Sequence, residues 1–182
     1  KSPTGSGKTI MMAQFLRDIV ADPRFSNANV AFLWITNSDS LAMQSKDKLF
    51  SYYGGASENV LLDMNDLRDG SIPKNGVFFI NWQKLVSKAK DNRKLRTEGE
   101  LNTTFDEYLE NTHNTGREII LIIDEEHIAS STVLANDLIK NIINPRIIIG
   151  VSATPQTTGV TVEVRRDDVV REGLIKEKTI FQ

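Results

Sequence analysis

The sequence predicts an α/β fold in three layers, α/β/α, around a mainly parallel sheet. Two observations lead there. Short, continuously apolar runs recur along the chain, as strands covered on both faces require. Segments with helical spacing separate them, which is the pattern of βαβ units and a parallel sheet. A glycine-rich turn opening an apolar helix at the start of the chain supplies a third signal, for the sheet's ligand-binding edge.

Residues 30–35 (Val-Ala-Phe-Leu-Trp-Ile) form a run with no polar position, so a doubly buried strand is expected. Asn37 and Ser38 are suitable N-caps for a helix carrying Leu41, Ala42, Lys46 and Leu49. Residues 60–62 and 76–80 are further strand candidates, and 119–123 (Ile-Ile-Leu-Ile-Ile) and 147–149 are the strongest. A helical stretch lies at about 132–143, between the last two. Residues 87–100 mix Lys, Arg, Asp and Glu and read as a solvated segment. In 102–112, Phe105, Tyr108 and Leu109 recur at helical spacing and are expected in the core.

With 182 residues the chain is one domain by length, and 40% apolar and 25% charged residues are ordinary globular values. The absence of cysteine excludes a disulfide framework and points to a reducing, cytoplasmic setting. Two histidines without cysteine leave no basis for a structural zinc site. No apolar run approaches the roughly 20 residues of a membrane span, so no membrane partner is expected. A net charge of −2 carries no basic footprint. Any nucleic acid would therefore be held in a cleft shared with another domain.

Residues 1–9 read Lys-Ser-Pro-Thr-Gly-Ser-Gly-Lys-Thr. Gly5 and Gly7 allow a tight turn whose N–H groups converge on an anion. Thr4, Gly5, Ser6, Gly7, Lys8 and Thr9 are thus the candidate ATP-binding residues. Lys8 brings a positive charge to the β- and γ-phosphates, and the Thr9 hydroxyl can ligate Mg²⁺. The helix start adds its positive dipole end. Ser2 stands at the first loop position, where a small residue fits. The strand that should feed this loop is missing, so a longer protein is expected.

Ligands of such sheets sit outside the carboxyl ends of the strands. Directly after residues 119–123 comes Asp124-Glu125-Glu126-His127. There Asp124 can hold Mg²⁺ opposite Thr9, and Glu125 is the candidate base for the attacking water. After residues 147–149 comes Gly-Val-Ser-Ala-Thr-Pro at 150–155. The Ser152 and Thr154 hydroxyls are suited to bond the acidic cluster with its histidine and to register the γ-phosphate.

Together these motifs resemble the first RecA-like motor domain of a superfamily 2 helicase or translocase. Residues 2–9 match motif I, 124–127 match motif II in a DEAH-like form, and 152–154 match motif III. Thr36-Asn37-Ser38 with Leu41 and Gln44 is similar to motif Ia, with Asn37 in place of the usual proline. Asp39 replaces the arginine of the DEAD-box version. Residues 79–85 are more loosely similar to motif Ib. A narrower resemblance, over Val162 to Lys176, is to helicase subunits of type III restriction enzymes.

The resemblance implies a RecA-like P-loop domain over residues 1–178, with 179–182 opening the connection to a second motor domain. It implies an ATP hydrolase with ATP and Mg²⁺ as cofactors, moving on duplex DNA held by backbone contacts. Lys8 and Glu125 would be catalytic, and His127, Ser152 and Thr154 would couple nucleotide state to DNA. Asn37, Ser38, Asn81 and Trp82 would touch DNA. For Trp82, base stacking and a core position are open alternatives, whereas Trp34 is expected in the core. A nuclease domain elsewhere and a methyltransferase or specificity subunit are further implied partners. Because arginine fingers of the family come from the second motor domain, the isolated domain is expected to be nearly inactive. An RNA helicase and a non-motor P-loop module are the alternative readings.

Overall fold

The computed structural model describes residues 7–25, 27–54, 59–66, 69–85, 94–95, 103–124, 133–152, 160–163 and 171. Its centre is strand β1 (Val30–Thr36), buried at all seven positions. Such a strand needs an apolar layer on each side and a partner on each edge. Strands β2 (Val60–Leu62), β3 (Gly76–Asn81), β6 (Glu118–Asp124) and β7 (Ile147–Val151) complete a sheet of order β2-β3-β1-β6-β7. Every neighbouring pair in it is parallel.

Alternate residues of each strand feed two separate cores. Phe32 and Trp34 of β1 join Val77, Phe79, Ile120 and Ile122 under helices α1 (Lys8–Ala21) and α2 (Asp39–Tyr53). Leu33 and Ile35 join Phe78, Ile80, Leu121 and Ile123 on the opposite face. That face is covered by α4 (Phe105–Asn114) and α5 (Val133–Asp137), which continues as a wider π-helical turn over Leu138–Ile143. Asn144 ends the turn at φ 43°, its N–H bonded to the Ile139 carbonyl at 2.9 Å. A one-turn helix, α3 (Trp82–Leu85), follows β3. Lys94–Leu95 (β4) pairs antiparallel with Thr103–Thr104 (β5), a small second sheet that the charge pattern does not signal.

The expected strands are all present within one or two residues, and a helix is found at each segment with helical spacing, α4 starting three residues later than its segment. Phe105, Tyr108 and Leu109 are buried in one core as their spacing predicts. Thr104 and Glu107 form a reciprocal capping box that starts α4. Two apolar segments are only partly buried. In α1 the core face is Ala13, Leu16 and Val20, whereas Ile10, Met11 and Phe15 from the same apolar run are exposed. Ile147 and Ile148 of β7 are half-exposed because that strand is the sheet's edge and has no outer neighbour among the described residues.

Polar contacts fix how α1 and α2 lie on their face. The Tyr53 hydroxyl donates to the Ala13 carbonyl at 3.0 Å, and the Tyr52 hydroxyl donates to the Gln14 side chain. Arg17 lies over the Tyr52 ring at 5.2 Å. On the far side of α2, Lys46 bridges Asp63 and Asp66 at 2.6 Å each and so ties the helix to the segment after β2. Burial pushes the Tyr53 hydroxyl up to about 12, Arg17 acts in the opposite direction, and Tyr52 adds to the rise.

A raised acid of this kind stabilises the fold fully below its unfolded value of 10.0, and the contribution is lost as pH climbs towards about 12. Tyr53→Phe should therefore cost about 1 kcal/mol at neutral pH, for the lost hydroxyl bond. It should also flatten the decline in stability between pH 10 and 12 in urea-unfolding experiments. An unchanged alkaline limb in the variant would assign that decline to other groups.

Candidate nucleotide site and its rim

All the strands of the main sheet end at one edge, and the polar motifs sit there. In register, Ile35 of β1 lies beside Ile123 of β6, and Asp124 beside Val151 of β7, one residue before Ser152. On the other side, Thr36 of β1 pairs with Asn81, the last residue of β3. The chain leaves β1 into α2 on one face, while the helix that follows β6 packs on the other. Adjacent strands whose connections diverge in this way open a crevice at their carboxyl ends, where ligands of α/β sheets bind.

Helix α1 precedes β1 in the chain and packs with α2 on one face of the sheet. Its N-cap, Gly7, has φ 76° and ψ 25°, a left-handed conformation that a side chain would strain. The cap makes no side-chain hydrogen bond, and the first turn contains no acid. A 14-residue helix with this start presents the positive end of its dipole, and its own first turn contributes no carboxylate. Lys8 and Thr9 are half-buried at that start, and Asp124 is half-buried at the end of β6. An ammonium at a helix N-terminus suits a polyphosphate, and a hydroxyl with a carboxylate forms the hard oxygen set that Mg²⁺ prefers. The residues present therefore fit a magnesium-bound triphosphate.

Ser152 follows β7 and is buried, 2% exposed, at the level of Asp124. Thr4, Gly5, Ser6, Glu125, His127 and Thr154 lie outside the described residues.

The rim beyond β1 and β3 is organised differently from its sequence expectation. Ser38 is the N-cap of α2, its Oγ accepting from the Leu41 N–H at 3.3 Å, and Thr36 Oγ1 donates to the Ser38 carbonyl at 2.9 Å. Asn37 and Ser38 are partly exposed. Trp82, by contrast, is 7% exposed and belongs to the core with Ile80, Leu85 and Phe105. Its indole takes the core alternative over base stacking, because the turn after β3 folds inward as α3. Trp34 is fully buried on the opposite face, as expected, with Phe79 at 5.4 Å between ring centres.

Asn81 is also buried, and its side chain is committed on both sides. The amide donates to Asp39, and Oδ1 accepts the Lys84 N–H at 2.8 Å. Lys84 Nζ stands 2.9 Å from Asp39 Oδ1 and 3.2 Å from the Met64 sulfur. Partial burial pushes the Asp39 carboxyl up, but Lys84 and the Asn81 amide outweigh it and hold the group below the ordinary carboxylate range. Neither Asp39 nor Lys84 is among the expected site residues. The available signal was a lysine one turn beyond a strand end, facing a helix that starts with an acid.

Asn81→Ala should lower the unfolding free energy by about 1–3 kcal/mol, since it strands the Lys84 N–H and releases Asp39. Asn81→Asp should cost more, because it sets one carboxylate against another. Denaturant titration separates the variants, and a wild-type midpoint for both would mean that the network does not form in solution.

The family model of the type III restriction enzyme res subunit matches residues 1–157. That span takes in the glycine-rich loop, the whole main sheet, Asp124 and Ser152. No curated protein matches the chain. Family model, parallel sheet and edge motifs agree: the chain belongs to the type III restriction enzyme res-subunit family, as its helicase-like, ATP-binding motor domain with a RecA-like P-loop fold.

Proposed function

We propose that the domain is one half of an ATP-driven translocase acting on duplex DNA, in the restriction subunit of a type III-like restriction–modification system. The observation supporting this most directly is Asp124 ending β6 beside Val151 at the carboxyl edge of the parallel sheet, in a domain whose α1 begins at a left-handed Gly7 with no side-chain cap. Thr4, Gly5, Ser6, Glu125, His127 and Thr154 are outside the described residues, so their roles rest on the motifs alone.

In this reading the loop N–H groups of residues 4–9 and the Lys8 ammonium bind the triphosphate. Thr9 and Asp124 would hold Mg²⁺, which when bound offsets charge on the phosphates. Glu125 orients the attacking water and takes its proton. His127, Ser152 and Thr154 relay the presence of the γ-phosphate towards β1 and β3. The buried position of Ser152, one strand from Asp124, favours that relay over a solvent role. Asn37 and Ser38 contact the DNA backbone, which suits a motor that must bind without reading sequence. A second RecA-like domain supplies arginine to the transferring phosphate, and a nuclease domain and a methyltransferase or specificity subunit complete the system. No described helix is long and apolar enough to cross a membrane.

Two substitutions in the intact protein test the assignment. Lys8→Ala should weaken ATP binding by roughly ten- to a hundredfold, the equivalent of one charge-assisted contact. Glu125→Gln should leave ATP affinity near wild type and reduce DNA-stimulated hydrolysis by about 10² or more. Nucleotide titration and a phosphate-release assay read the two effects. Unchanged affinity in the first variant, or turnover within a few-fold in the second, would remove the corresponding role.

A further inference from the structure

A cation and an anion are paired in the open on the rim beside the nucleotide edge, and a buried amide holds them both. Lys84 is 42% exposed and Asp39 62% exposed at a separation of 2.9 Å. Asn81, buried between them, fixes the Lys84 backbone through its Oδ1 and the Asp39 carboxylate through its Nδ2. Because Thr36 and Asn81 are register partners, the pair spans the ends of two adjacent strands. Asp39 opens α2 immediately after the Asn37–Ser38 turn, and Lys84 closes α3.

An exposed ion pair of this kind contributes little to folding, about 0.2–1 kcal/mol. The buried Asn81 amide serves the fold, but the solvent-facing half of the network has another use. Lysine is a compact point charge suited to phosphate, and here its position is fixed before any ligand arrives. The carboxylate beside it presents the same charge sign and the same oxygen chemistry as a phosphodiester. With a net charge of −2, the domain cannot attract DNA through bulk charge. It needs individual cations released at the right place.

We propose that Lys84 is a DNA-backbone contact held in reserve by Asp39, which occupies the ammonium as a phosphate substitute until a phosphodiester replaces it. Asn81 is the positioning residue that keeps donor and substitute in register. This rests on the proposed action on duplex DNA and adds to it a binding residue and its built-in competitor. Low intrinsic strength makes the exchange easy, and the short tether through Asn81 carries the loss of the Asp39 partner to the start of α2 and the Asn37–Ser38 turn.

The test is a double-mutant cycle in the intact protein, read by fluorescence anisotropy with a short duplex of arbitrary sequence over roughly 50–200 mM salt. Lys84→Ala should reduce the slope of log affinity against log salt by about one, as for loss of one phosphate contact. Asp39→Asn keeps an acceptor for the Asn81 amide while removing the competing charge. It should tighten binding by up to about fivefold, the equivalent of an exposed ion pair. In the Lys84→Ala background that gain should fall away, because no ammonium is left to release. A gain of equal size in both backgrounds would make Asp39 a general repelling charge and overturn the proposal. So would an unchanged salt slope in Lys84→Ala. If wild type binds duplex and is stimulated by it while either of those results is found, the exchange is wrong and the motor reading stands. If wild type neither binds duplex nor responds to it, both fall.

Discussion

The structure depends on one constraint, the complete burial of β1. A strand buried at every position must be hydrogen-bonded along both edges and covered on both faces. Its partners β3 and β6 meet the first requirement, and the α1–α2 and α4–α5 layers meet the second. Nothing along the length of this strand can carry chemistry. Polar function is confined to the places where the strands stop, and because the sheet is parallel all of them stop on the same side.

That geometry explains why residues far apart in sequence converge. The end of β1, the end of β3, Asp124 and Ser152 come from four separate segments, yet register alone brings them to one edge. The crevice follows from the direction of the connections, since α2 leaves β1 to one face and α5 covers the other. The candidate nucleotide half of the edge carries the acid that ends β6. The rim half is defined by the Asp39–Asn81–Lys84 network. Both halves meet at β1, so a change of charge at one has a rigid element through which to reach the other.

The rim also shows how burial reassigns roles. Trp82 has the chemistry of a stacking platform, but α3 turns it into the core, where it buries a large apolar surface beside Leu85 and Phe105. Asn81 has the chemistry of a base or backbone contact, but its amide is used up inside the protein. The exposed groups left behind are an acid and a base that neutralise each other. A surface of this kind is quiet towards solvent and becomes charged only when a competing anion arrives.

Much of this was legible in the sequence. Continuous runs such as 30–35 and 119–123 have no polar residue to face water, so they could only be doubly buried strands, and helices between them could only give a parallel sheet. Capping chemistry marked the start of α2 at Ser38, and the spacing of Phe105, Tyr108 and Leu109 marked the buried side of α4. The glycine-rich loop and the acid after a strand mark the candidate nucleotide edge in the sequence, because a tight turn asks for glycine and an ion site asks for an acid. Tertiary structure alone decided which apolar residues of α1 face the core, because Ile10 and Phe15 have the same hydrophobicity as Leu16 and differ only in direction. It alone decided that β7 is an edge, that Trp82 turns inward, and that Asp39 meets Lys84 across 45 residues of chain. Those outcomes depend on register and on the direction of a single turn, which are settled by packing between segments and leave no mark in the local sequence.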